Sequence, residues 1–244
     1  MSSSTQPTQP PPSKQPRILL ITLGAFLVIG AALWLAWPRG TPHERLIADI
    51  QSKLARVQTV EGTLTISLQG VTLEQEFWAQ RPGFLRTETE AGPGAFNGTI
   101  VVLNDREGWV YSPALNLATV VDRSAFSEQM AGEAGAGSIL ERLPDRIIAA
   151  LQQGTPMNIG DRTAIAGRAA TLVELVIPSD DPALPSGPLR VWLDDQYAYP
   201  VAWQDASGRE LRFTTVAFNR EIDPLTFVFY PPPGAGVQRV APTP

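Results

Sequence analysis

The side chains able to carry chemistry are few. His43 is the single histidine and there is no cysteine, so there is no thiol nucleophile and no Cys/His metal spacing. His43 directly follows a long apolar run and reads as a solvated linker residue. Asp180–Asp181 and Asp194–Asp195 are paired carboxylates, the equipment of glycoside hydrolysis. Both pairs lie beside a proline or at the end of an extended segment, where aspartate commonly serves turns. AGEAGAGS (131–138) is glycine-rich but lacks the Lys-Ser/Thr ending of a phosphate loop and follows no buried strand, so it reads as a hinge. No G-x-S-x-G elbow is present. These residues predict no enzyme, no metal site and no cofactor.

The elements that would carry a site begin with a tail. Residues 1–17 are rich in Pro, Ser, Gln and Thr, a composition that stays disordered. Ile18 to Trp37 then run without a charge, long enough as a helix to cross about 30 Å of hydrocarbon. Trp34 and Trp37 mark one interface. The alternative is a cleaved signal, but the run is long for one and ends in LWLAWPRG, a poor cleavage site. We read it as a single-pass anchor with the tail inside and the main domain extracytoplasmic. Three of the 19 basic residues (Lys14, Arg17, Arg39) precede residue 41, whereas all 24 acidic residues follow it, leaving the remainder a formal −8. That opposes nucleic-acid binding.

From residue 41 the pattern is that of one domain ending at 237, with 238–244 a flexible tail. Thr41, Pro42 and Glu44 start a helix whose apolar stripe is Leu46, Ile47, Ile50, Leu54 and Val57. Alternating segments follow, with a Gly70 hairpin between the first two. SILERLPDRIIAALQQG returns to helical spacing, Pro144 opening a second helix. Strand patterns resume to the end, TFVFY (226–230) closing the set before three prolines. The predicted fold class is α+β: a curved antiparallel sheet, an unclosed half-barrel of about ten or eleven strands. The N-terminal helix and a helical lid cover its concave face.

Such a half-barrel under a lid is a way to build a pocket for an acyl chain. The candidate lining is Leu64, Ile66, Leu68, Phe77, Trp109, Tyr111, Ile147, Leu151, Phe213, Phe227 and Phe229.

Four stretches occur in a suggestive order: RPGFLR (81–86), GWVYSP (108–113), VWLDDQYAYPVAW (191–203) and TFVFYPPPGAGV (226–237). Together they resemble the LolA-like lipoprotein carriers, which include LolB and the sensor RseB. The resemblance implies an unclosed barrel that accepts acyl chains. It also implies that Arg81 latches the lid over the empty cavity, a task suited to a planar fork of donors. The implied partners are a lipid or acylated lipoprotein, the membrane through the anchor, and a membrane protein. An RseB-like sensor of a protein partner is the alternative reading. The chain departs from the soluble carriers in its tether and shows no matching motif for docking on a release complex.

Overall fold

The helical stripe near residue 50 and the period-two pattern after it are both realised, and each turns its apolar side to the same core. The computed structural model describes residues 41–68, 70–124, 126, 135–153, 155, 157–177 and 187–240. Helix α1 (Pro42–Ala55) buries Ile47, Ile50 and Leu54. Asp49 and Lys53 pair at 2.7 Å, one helical turn apart. Helix α2 (Gly135–Gln152) contains Pro144 within it and buries Leu143, Ile147 and Leu151.

Twelve strands form one sheet: β1 (Thr59–Leu68), β2 (Val71–Gln80), β3 (Phe84–Ala91), β4 (Ile100–Leu103), β5 (Glu107–Ser112), β6 (Leu117–Asp122), β7 (Met157–Ile165), β8 (Arg168–Ile177), β9 (Gly187–Asp194), β10 (Pro200–Asp205), β11 (Glu210–Phe218) and β12 (Gly236–Val240). Their order is β12-β6-β5-β4-β3-β2-β1-β11-β10-β9-β8-β7. Two antiparallel runs, each built of sequential neighbours, therefore meet where β1 pairs β11. Helix α2 lies over β3, β8 and β10, bridging both runs.

Several expectations are corrected. Among the described residues the strands number twelve, and the sheet is mixed, because β12 pairs β6 in parallel. TFVFY is not a strand: Pro224–Phe227 form a 3-10 turn, capped where Asp223 accepts the Leu225 N–H at 2.9 Å. The prolines after it are a crossover, and the ladder continues through Val240, past the boundary set at 237. Pro144 does not open a new helix, and residues 135–137 of the presumed hinge already belong to α2. A proline removes only one ladder hydrogen bond, and here its ring is buried against the core. Residues 1–40, including the Ile18–Trp37 anchor, lie outside the described residues. Among those described, no helix is long and apolar enough to cross a membrane.

Candidate functional site

Strand alternation sends Leu64 and Ile66 of β1, Phe77 of β2, Leu85 of β3, Trp203 of β10 and Phe213 of β11 to one face. Ile147 and Leu151 of α2 complete this core, and Leu68 packs half-buried at its margin. The Phe77 and Phe213 rings meet edge to face at 5.7 Å. Leu64, Phe77 and Leu151 have 0% exposure. In this conformer, then, α2 occupies the space that the sequence assigned to an acyl chain. Seven of the eleven candidate lining residues belong to this face.

The other four do not. Opposite residues in an antiparallel ladder share a face, and Val102, Trp109 and Val120 are successive partners across β4, β5 and β6. Trp109 and Tyr111 thus lie opposite to Val110, which faces the core. Phe229 covers both, with ring centroids 5.5 Å from Trp109 and 5.8 Å from Tyr111. Phe227 packs on Phe84 at 5.6 Å, and the Thr226 carbonyl accepts from Arg86 Nη1 at 3.1 Å. The segment after β11 is therefore a strap across the outer face. Asp223-Pro224, an N-cap followed by a proline, was the sequence signal that TFVFY turns instead of extending.

Arg81 is exposed. Its backbone N–H donates to the Gln58 carbonyl at 2.9 Å, and the residue borders a void of about 60 Å³ with Pro144 of α2 and Tyr199. The arginine that bridges carbonyls is Arg123, which the sequence reading missed. Its Nη1 donates to Gly83 O and Asn104 O, each at 2.6 Å. It thereby ties the root of the segment leaving β6 to the turn that follows Arg81. Phe126, three residues on, fills the space over Gly108, where an added Cβ would come within 1.9 Å of the ring. No local pattern marks Arg123, because its partners are backbone atoms brought near only by the sheet.

The paired aspartates are consumed by structure. Asp194 is buried and accepts from Arg168 Nε at 2.6 Å and from the Gln196 and Tyr197 N–H groups at 3.0 and 2.8 Å. Asp195 accepts from Thr171 Oγ1 at 2.6 Å and pairs with Arg162. The Thr171 hydrogen bond and the Arg162 pairing hold its carboxyl below the ordinary range against some burial. Asp180–Asp181 lie outside the described residues. Among those described, no group of three or more His, Cys, Asp or Glu is placed to hold a metal ion.

On the outer face, burial and then the charges of Glu90 and Glu88 push the Glu76 carboxyl up. A raised carboxyl costs stability wherever it must ionise, and the cost fades as pH falls through its folded pKa. Glu76→Gln is therefore expected to raise the melting temperature at pH 7, with the gain over wild type vanishing near pH 4. Paired thermal melts at the two pH values check this; an equal gain at both would refute it.

Two surface grooves flank β7–β9. One, of about 530 Å³, runs between Leu46, Ile50 and Lys53 of α1 and Ile159, Arg162 and Asp195. The other, of about 510 Å³, is lined by Met157, Leu175, Leu189, Arg190 and Asp205 among others.

No protein-family model matches the chain, and no curated protein matches it either. Solved structures do. An uncharacterized conserved protein of Thermus thermophilus aligns with a TM-score of 0.52 and 12% identity, over 79% of this chain and 98% of that one. The likeness is one of fold. The Mycobacterium tuberculosis lipoprotein LppX gives 0.49 and 15%, over 74% of this chain and 98% of its own. The Pseudomonas aeruginosa MucA/MucB complex gives 0.46 and 15%, over 75% of this chain but only 61% of the matched one. Matches over about three quarters of the chain also include LolA-superfamily and lipoprotein-sorting proteins.

Proposed function

We propose that this is a membrane-anchored, extracytoplasmic LolA-like protein that binds lipid or lipoprotein acyl chains on the concave face of its half-barrel, for local carriage or transfer. One observation carries the reading. Helix α2, which with α1 packs on that face, inserts Leu143, Ile147 and Leu151, side chains that are buried alkyl groups. An acyl chain is alkyl as well, so exchanging one for the other leaves the buried apolar area nearly unchanged. A face closed by charged or hydrogen-bonded plugs would not permit that exchange.

Native mass spectrometry tests the reading on the compact unit Glu44–Pro244, exported and purified without detergent. A bound mass that organic extraction removes and identifies as lipid supports the carrier. A bare mass that stays bare after incubation with phospholipid and acylated peptide rejects it and favours a protein-binding sensor.

The tether of Ile18–Trp37 belongs to the same proposal and confines any handover to the membrane surface. So does a latch role for Arg81, which lines one small void together with Pro144 of α2. Arg81→Leu is expected to preserve the melting temperature within about 1 °C, as exposed substitutions do, and to change the rate of fluorescent-lipid uptake. An unchanged rate removes Arg81 from the mechanism.

A further inference from the structure

The loop joining β3 to β4, Gly92 to Thr99, contains no charged residue and ends in Asn97-Gly98-Thr99. Of the five asparagines in the chain, Asn97 alone precedes a glycine. That pairing is chemically reactive. Residue 98 has no side chain to hinder its own nitrogen, which can close on the side-chain carbonyl carbon of Asn97. Asn97 is also exposed, so water reaches whatever forms there.

The fold both creates this pairing and restrains it. Phe96 to Thr99 is a β-turn, closed where the Thr99 N–H donates to the Phe96 carbonyl at 3.1 Å. Gly98, at its third position, has φ +72°, whereas Asn97 is not among the residues of positive φ. That combination is a type II turn, whose third position favours glycine. Its second residue has ψ of about +120°, which swings the Gly98 nitrogen away from the Asn97 Cβ. Ring closure needs those two atoms eclipsed. The Gly98 N–H is engaged as well, donating to the Thr89 carbonyl at 2.8 Å, and the Thr89 N–H donates in return to the Thr99 carbonyl at 2.9 Å. Thr89 is 3% exposed and accepts from Gln75 Nε2 at 2.8 Å, so the loop is fastened to a buried residue.

We propose that Asn97 is a site of spontaneous deamidation whose rate is set by opening of the β3–β4 loop. On opening, the Gly98 nitrogen gives its proton to solvent base and attacks Asn97 Cγ. The N–Cγ bond forms, the Cγ–Nδ2 bond breaks, and ammonia leaves behind a five-membered succinimide. Water then opens the ring. Attack at Cγ yields aspartate, and attack at the main-chain carbonyl of residue 97 yields isoaspartate, with the main chain rerouted through Cβ. Either product places the first charge in this loop. Isoaspartate also lengthens the main chain by one atom, which shifts Gly98 off the Thr89 carbonyl. The lock then does not re-form, and the mark accumulates with the time the loop spends open.

The test follows the full chain in maltoside micelles, in mildly alkaline buffer, beside a peptide of residues 92–101 under the same conditions. Peptide mapping by mass spectrometry reads conversion of the Asn97 amide to an acid, and enzymatic methylation scores the isoaspartate. The chain is expected to deamidate about tenfold more slowly than the peptide, the protection given by one kept hydrogen bond. Pro93→Gly widens the conformations open to the loop and should raise the rate severalfold toward that of the peptide, with the melting temperature little changed. Asn97→Gln, which would have to close a larger ring, should abolish the signal. Equal rates in chain and peptide overturn the proposal without reliance on any variant. So does a Pro93→Gly rate equal to wild type, or conversion at another asparagine while Asn97 stays intact.

Discussion

Gly62→Ala is expected to destabilise the domain by about 3 kcal/mol, at the upper end of what overpacking usually costs. For a domain of this size that lowers the melting temperature by about 6–12 °C. A Cβ built at residue 62 would lie 2.1 Å from the Thr215 carbonyl oxygen and 2.9 Å from its carbon. Those are backbone atoms, so no side-chain rotation relieves the overlap. The position also matters. Gly62 pairs Val216 just before the irregularity between Thr63 and Leu64, where β11 carries one residue more than β1. This ladder is the seam between the two runs of the sheet, and a separation there splits the wall under α2. Gly70→Ala is the control: its φ is +84°, but nothing lies within 4 Å of an added Cβ, so it is expected to cost about 1 kcal/mol. Urea unfolding of the two variants separates them. Equal losses would mean that a small shift of β1 from β11 relieves the contact with Thr215 at little cost.

The sheet was readable in the sequence because one of its faces is buried for most of its length. Leu64 and Ile66, or Leu189, Val191 and Leu193, alternate with more exposed neighbours, and period two then identifies both strand and face. The same logic misled at β5 and after β11. There the outer face is buried as well, by the strap, so Trp109 and Tyr111 look like core residues without facing the core. Hydrophobicity reports burial and is silent on which layer does the burying. β12 was missed for the converse reason. Gly236 to Arg239 are exposed, and the strand exists through its ladder with β6 and the pairing of Arg239 with Glu107 and Asp122, neither of which leaves an apolar period. At the candidate site, five of the seven inward residues were available from alternation, and Ile147 and Leu151 from helical spacing. Arg123 was not, since its significance depends on partners gained across strands distant in sequence.

Phe227→Ala should be the most damaging single truncation of the strap, costing about 3–5 kcal/mol and about 10 °C in melting temperature. Phe227 is 3% exposed and rests on Phe84. The backbone on either side of its ring is held by Arg86 through the Thr226 carbonyl and, more weakly, by Asn104 Nδ2 at 3.4 Å through its own. Removing the ring leaves a cavity that those two hydrogen bonds keep from closing, which is the condition under which truncation is costliest. Acyl-ligand affinity, measured well below the melting transition, should stay within about twofold of wild type, because the strap and the concave face lie on opposite sides of the same sheet and share no side chain. Phe213→Ala supplies the contrast. It removes the edge-to-face partner of Phe77 inside the concave core, so it should lower stability by a similar amount and change ligand affinity as well. If Phe227→Ala alone altered binding, the ligand would sit beneath the strap among Trp109, Tyr111 and Phe229, and the concave face would be an ordinary core.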